Sequence, residues 1–240
     1  MNNQISLIYD VDDTLYRRSS PFIQACQDVF GEKMQLDWEA VYARRSYYSE
    51  QVFEASQKGE ISMEEMYEYR LGKALLEFGY ETCREEALYF EERYHYFQDR
   101  ICLDDPFDAL LGKFREEKVP QAILSNGPSA HQRRKLRALG VDAYIPESMW
   151  LVSGDIGVIK PHPEIFRHAE SLFSMEADRI WYVGDNYACD IEGAKKAGWH
   201  AIWYNHRQEA LPAESRMRPD RIATDRASMK QVLAELLQDA

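Results

Sequence analysis

Cysteine is scarce and scattered. Cys26, Cys83, Cys102 and Cys189 never fall in C-x-x-C spacing, so the chain offers neither a zinc framework nor a disulfide one, and its thiols are expected to be reduced, in a cytoplasmic protein. Long apolar runs are missing as well. No stretch reaches the roughly 18 unbroken apolar residues of a membrane span. The opening MNNQISLIYD has no basic start and meets acid by Asp10, which argues against a signal peptide. Positive charge is in short supply: 29 Lys and Arg face 41 Asp and Glu, a net charge of -12. That balance excludes long-range attraction to nucleic acid or an anionic membrane. A small anionic substrate stays open, because one local cation outweighs a diffuse negative field. Repeats and low-complexity segments are also lacking.

What is present is a chain of 240 residues, 45% hydrophobic. It can bury a core unaided and fits one large domain, or one domain carrying a smaller insert. Two textures divide it. Residues 1–16 and 100–240 alternate short apolar runs with helical patterns. The runs Ile5–Tyr9, Gln121–Leu124, Met149–Val152, Ile180–Val183 and Ala201–Tyr204 read as strands. Helices are expected near 106–118, 128–139, 162–173, 189–197 and 226–238, and the basic stretch Arg216–Arg226 reads as an exposed loop before the last strand and helix. Such alternation builds a parallel α/β sheet with helices on both faces, a Rossmann-like core. Ligands then sit beyond the carboxyl ends of the strands. Here those ends carry nearly all the unusual polar residues.

Residues 17–99 show helical periodicity only, and four helices are expected. Pro21–Phe30 stops at Gly31. Asp37 caps a helix to Gln57, stopped by Lys58-Gly59. Ser62 with Glu65, and Thr82 with Glu85, form capping boxes that open two more. More than half of the chain's aromatic residues lie in this insert. They pack the helices together, or one or two of them line a pocket.

The segment Asp10-Val11-Asp12-Asp13-Thr14 sets three carboxylates within four positions after an apolar strand. Such acids repel and raise one another's pKa unless a cation neutralises them. Alone, the stretch reads equally as a cation loop or as a solvated acidic turn. A second set at a strand end, Asp185 and Asp190, favours the cation. Oxygen ligands with no His or Cys suit magnesium rather than zinc. Ser125, with the amides of Asn126 and Gly127 at a helix start, makes an anion cradle. Lys160, before Pro161, adds a cation. Together these describe metal-assisted phosphoryl transfer. Cys189, beside the acids, reads as a small buried filler.

These residues occur in an order that resembles the haloacid dehalogenase-like hydrolase superfamily, in its branch with a helical cap inserted after the first motif. The motifs are Asp10-Val11-Asp12-Asp13-Thr14, Leu124-Ser125-Asn126-Gly127, Lys160-Pro161, and Gly184-Asp185 followed by Asp190-Ile191. Two small departures, His162 where an acid is common and Asp108-Ala109 where Pro-Gly is common, lie outside the chemistry. The resemblance implies that Asp10 is the nucleophile, forming an aspartyl-phosphate, and that Asp12 is the general acid and base, poised by a contact with Thr14. It implies Mg²⁺ held by Asp10, the backbone carbonyl of Asp12 and Asp185, steadied by Asp190. Ser125, Asn126 and Lys160 would bind the phosphoryl group, with Lys160 offsetting the charge of Asp10. Dehalogenases of the superfamily lack an acid at the place of Asp12, so its presence implies phosphate-ester hydrolysis.

The cap implied for residues 17–99 would exclude water and set specificity, with Arg17, Arg18, Arg44 and Arg45 facing a leaving group or lying solvated on helix faces. Similarity to pyrimidine 5′-nucleotidases in Asp12–Ser20 implies a nucleoside 5′-monophosphate as substrate. A sugar phosphate, a phosphomutase reaction or non-catalytic binding of a phosphorylated ligand are the alternatives. The expected partner is that small substrate, with the protein a monomer or homodimer.

Overall fold

The computed structural model describes residues 5–31, 34–57, 59–105 and 107–238. The readings made at residues 1–4, Lys58 and Pro106 lie outside the described residues. The chain divides into two compact units, Met1–Arg17 with Cys102–Ala240, and Arg18–Ile101. In chain order the helices are α1 (Ser20–Phe30), α2 (Trp38–Gln57), α3 (Met63–Leu76), α4 (Arg84–Gln98), α5 (Phe107–Glu116), α6 (Ser129–Ala138), α7 (Ser153–Ile156), α8 (Pro163–Phe173), α9 (Glu192–Lys196) and α10 (Arg226–Gln238). The strands are β1 (Ser6–Tyr9), β2 (Gln121–Ser125), β3 (Trp150–Val152), β4 (Ile180–Gly184), β5 (His200–Tyr204) and β6 (Arg221–Ala223).

All six strands are parallel, in the order β3-β2-β1-β4-β5-β6. Leu7, Ile8, Tyr9, Ala122, Ile123 and Leu124 are fully buried. This is why β1 and β2 read as continuous apolar runs rather than alternating ones: both faces of the sheet are covered. The chain moves outward from β1 to β3 on one side, then returns to the other side of β1 with β4. β1 and β4 therefore flank the switch point, the place in an open α/β sheet where ligands bind beyond the strand ends.

The expectation of a plain loop over Arg216–Arg226 is corrected by β6, which lies inside it and pairs with β5 through Ile202–Arg221 and Tyr204–Ala223. As an edge strand it buries only Ala223, leaving Arg221 and Ile222 exposed, so no apolar run marks it. Among the described residues no helix is long and apolar enough to cross a membrane.

In the helical unit, Phe22, Ala25, Cys26, Val41, Leu71, Ala74, Leu75 and Phe90 form the fully buried centre. Its aromatics pack helix to helix, as in Phe22 against Phe90 with ring centroids 5.3 Å apart. Asp37 caps α2, accepting from the amides of Glu39 at 3.1 Å and Ala40 at 3.2 Å. The box at Ser62 and Glu65 is complete. The one expected at Thr82 is displaced by a residue, because Glu86 rather than Glu85 accepts from the amide of Cys83. Consecutive glutamates offer two registers for the same cap. Arg44 forms a two-pronged pair with Glu77, and Arg45 is buried against Glu91, so both are engaged inside this unit. Arg17 and Arg18 are exposed.

Candidate active site

The pairing of Tyr9 with Val183 places Asp10 alongside Gly184, one residue before Asp185. The Asp10 amide extends the ladder by donating to Val183 O at 2.9 Å, and its side chain is buried. After β4 a single π-helical turn, Tyr187–Ile191, folds Asp190 back toward the strand end, where its Oδ2 accepts from the Asn186 amide at 2.9 Å. Only glycine fits at position 184: a Cβ there would sit 2.5 Å from Asp190 Oδ2. The result is a cluster in which one carboxylate oxygen each from Asp10, Asp185 and Asp190 lie within 4.8 Å of one another.

Lys160 enters this cluster from the loop before α8, 3% exposed. Its Nζ donates to Asp10 Oδ1, Asp190 Oδ1 and the Tyr182 hydroxyl, each at 2.7 Å, and that hydroxyl donates to Leu124 O at 2.8 Å. Asn126, expected to bind phosphate, clamps the Lys160 backbone with its side chain: Nδ2 donates to Lys160 O at 3.0 Å, and Oδ1 accepts from Lys160 N at 2.8 Å.

One lysine does not balance three buried acids. Burial pushes Asp10 up, Lys160 pulls it back, and Asp190 and Asp12 raise it again, leaving it at about 6. Burial, then Asp10 and Asp190, push Asp185 up to about 8 despite Arg207. Lys160 is held well above its ordinary value: burial opposes its charge, and Asp10 and Asp190 more than compensate. A cluster of hard oxygen donors with excess negative charge fits a divalent cation of the magnesium type. Asp10 and Asp185 would hold it, with Asp190 alongside.

Asp12 stands apart from that cluster. Lys135 Nζ lies 2.6 Å from both of its carboxylate oxygens, the Tyr16 hydroxyl donates to Oδ1 at 2.7 Å, and Gln132 Nε2 donates to Oδ2 at 2.8 Å. Thr14, expected to poise Asp12, instead donates to Asp10 Oδ2 at 3.3 Å. Ser125 is buried at the end of β2, and its Oγ accepts from Gln132 at 3.1 Å. The Gly127 amide, expected in the anion cradle, donates to Ser153 Oγ at 2.9 Å. Cys189 is only half-buried, and burial together with Asp190 raises its thiol.

Reading the sequence missed four residues here: Tyr182, Gln132, Lys135 and Arg207. Gln132, Lys135, Leu136 and Leu139 fall at the spacing of one helix face, and all four are buried; polar members of a buried stripe were the available signal. Arg207 lies just past β5, at the same sheet edge as the acids. It donates to Asp185 Oδ2 at 2.8 Å and to Asp13 Oδ2 at 2.7 Å.

The chain is similar to several known hydrolases. The phosphoserine phosphatase of Thermus thermophilus is 36% identical over 124 residues, 51% of this chain and 47% of that enzyme, so the chain spans about half the length of this relative. The HAD-hydrolase YfnB of Bacillus subtilis is 25% identical over 208 residues, 85% of this chain and 86% of that protein. Its magnesium-bound crystal structure shares the fold, with a TM-score of 0.67 at 24% identity over 96% of this chain and 98% of that one. The pyrimidine 5′-nucleotidase YjjG of Escherichia coli is 34% identical over 90 residues, 36% of this chain and 39% of that enzyme. The model of the haloacid dehalogenase-like hydrolases matches residues 6–198, a span that opens at β1 and takes in every acid described above, and the chain belongs to that family.

Proposed function

We propose that this protein is a Mg²⁺-dependent phosphatase that hydrolyses a small phosphate monoester through an aspartyl-phosphate on Asp10. The observation that carries the reading is the meeting of Asp10, Asp185 and Asp190 within 4.8 Å, with Lys160 bonded to two of them. A carboxylate freed from repulsion in this way is a nucleophile beside fixed positive charge.

In the proposed cycle a carboxylate oxygen of Asp10 attacks phosphorus, and the bond from phosphorus to the ester oxygen breaks. Asp12 gives its proton to that oxygen, so the leaving group departs as an alcohol. Water then attacks the aspartyl-phosphate at phosphorus and passes a proton back to Asp12. The bond to Asp10 breaks, and inorganic phosphate leaves. Lys160 offsets the charge of Asp10, and the Ser125 hydroxyl offers a donor to the phosphoryl oxygens. Bound by Asp10, Asp185 and the Asp12 carbonyl, Mg²⁺ would supply positive charge to the transferring group.

The acid at position 12 supports ester hydrolysis over dehalogenation, since an alkoxide needs a proton and a halide does not. For the substrate, the relatedness to a pyrimidine 5′-nucleotidase favours a nucleoside 5′-monophosphate, with a sugar phosphate as the alternative. A screen of phosphorylated metabolites, read by released phosphate, tests both. Turnover with Mg²⁺, none with EDTA, and none in Asp10→Asn are expected; an active Asp10→Asn protein would refute the assignment of the nucleophile.

A further inference from the structure

Arg207 contacts the acid cluster, and the cycle above does not use it. Its planar fork takes one oxygen from each of two acids: Nη1 bonds Asp185 Oδ2 at 2.8 Å, and Nη2 bonds Asp13 Oδ2 at 2.7 Å. The loop bearing it is braced, because Asn205 Nδ2 donates to Glu209 O at 2.9 Å and the Glu209 amide donates to Asn205 Oδ1 at 2.8 Å. Asp185 is held from the other side too, its carbonyl accepting from Trp203 Nε1 at 2.8 Å. A clamped arginine with one prong on a metal-binding carboxylate has two consequences. It adds positive charge next to the ion site, and it engages the second oxygen of Asp185.

The second consequence discriminates between ions. Calcium accepts six to eight oxygens and readily takes a carboxylate through both of its oxygens, whereas magnesium demands an octahedron of single oxygens. With Asp185 Oδ2 tied to a guanidinium, Oδ1 is the freer donor, and taking an ion through both oxygens would compete with that bond. We infer that Arg207 is a specificity-determining residue for the metal, holding Asp185 to one-oxygen coordination and so disfavouring Ca²⁺ relative to Mg²⁺. The inference rests on the divalent-ion reading of the cluster, and it goes beyond that reading in assigning the ion's selection to a residue outside the acids. Its charge acts on both ions alike, through space, and weakens both.

The test is calorimetric titration of the full chain with MgCl₂ and, separately, with CaCl₂, for wild type, Arg207→Gln and Arg207→Lys. Arg207→Gln should bind both ions more tightly, with the gain for Ca²⁺ exceeding that for Mg²⁺ by on the order of ten-fold, the scale on which residues supporting metal ligands act. Arg207→Lys keeps the charge without the fork. Its Mg²⁺ affinity should stay near that of wild type, while its preference for Mg²⁺ over Ca²⁺ should weaken. The Arg207 side chain is 44% exposed, and far-ultraviolet circular dichroism confirms that the variants are folded. Equal gains for the two ions in Arg207→Gln would overturn the inference and leave only a charge effect. A wild-type chain that binds neither ion would instead overturn the metal reading beneath it.

Discussion

Lys135 Nζ lies 2.6 Å from both carboxylate oxygens of Asp12, a contact that joins α6 to the loop after β1. Both partners are largely withdrawn from solvent, with side chains 9% and 20% exposed. The lysine fixes the plane and position of the carboxyl group that is proposed to protonate the leaving oxygen. An alkyl phosphate needs that proton, because an alkoxide is a poor leaving group; p-nitrophenyl phosphate does not. The ratio kcat/KM reports the steps up to departure of the leaving group. Lys135→Met is therefore expected to lower kcat/KM for an alkyl phosphate on the order of 100-fold, the scale of general acid catalysis, and to change it far less for the aryl ester. Equal losses on the two esters would mean that Lys135 serves the fold and not the proton.

Asn126 leads to a second prediction. Its side chain makes two hydrogen bonds with the backbone of Lys160, and so controls where a lysine bonded to Asp10 and Asp190 begins. Asn126→Ala removes both bonds and leaves a buried backbone pair unmatched, a cost of about 1–3 kcal/mol. The lysine is then free to shift by a fraction of an ångström, so kcat should fall at least ten-fold while KM changes less. Steady-state kinetics on p-nitrophenyl phosphate, with a thermal melt alongside, separates the two effects. A variant that melts early yet turns over at the wild-type rate would count against any part for Asn126 in placing Lys160.

Much of this site could be read before any coordinates. Asp10 and Asp185 follow apolar runs, and the strand order of a doubly wound sheet sets such ends side by side at the switch point. Ser125 was legible for the same reason, and Lys160 by its place before Pro161 at the start of a helix. Lys135 was not, because Arg133, Arg134 and Arg137 surround it in a basic run, and nothing singles it out until helical register groups it with Gln132, Leu136 and Leu139. Arg207 was further out of reach. Its partner Asp13 is 194 positions away, and only the folded sheet makes them neighbours. Thr14 shows a limit of another kind: its motif position was right, but the choice between Asp10 and Asp12 depends on a loop in which Asp13 takes a positive φ of 62°, and side-chain direction there cannot be taken from spacing. The last strand was expected after the basic stretch and not inside it, because a strand that buries a single alanine leaves no hydrophobic pattern to place it.

Gly184 links the sheet to the acid cluster. With a Cβ placed 2.5 Å from Asp190 Oδ2 and 2.6 Å from its Cβ, Gly184→Ala cannot be relieved by a rotamer change, because Asp190 is held by the Asn186 amide and by Lys160. Overpacking of this kind costs about 1–3 kcal/mol. The displaced Asp190 should also weaken ion binding. In wild type Mg²⁺ should raise the melting temperature, since a ligand that binds only the folded chain stabilises it. The rise should shrink in Gly184→Ala, and in Asp185→Asn as well. A Mg²⁺-induced shift as large in both variants as in wild type would place the ion elsewhere.

The helical unit supplies a prediction about pH that is independent of catalysis. Glu91 is 3% exposed, yet it accepts from Arg45 Nη2 at 3.2 Å and from Arg70 Nη2. Burial alone would raise its pKa; Arg45, a hydrogen bond from His95, and Arg70 overcome that and hold it at about 2. A carboxyl group lowered on folding contributes stability that is fully present above its unfolded value, near 4.5, and is lost as pH falls through the folded one. The shift corresponds to on the order of 3 kcal/mol. At neutral pH Glu91→Gln should cost about 3–5 kcal/mol, because it strands the buried guanidinium of Arg45 and the largely buried one of Arg70, whose Nε atoms have no hydrogen-bond partner among the described residues. As the pH drops, wild type loses the advantage of its charged Glu91 and the glutamine variant has none to lose. Urea unfolding of both proteins at pH 6 and pH 3 should therefore find the stability gap closing by more than 1 kcal/mol, as linkage requires. A gap that stayed constant over that range would mean that Glu91 keeps its ordinary pKa in the folded chain, and that the two arginines do not hold its charge.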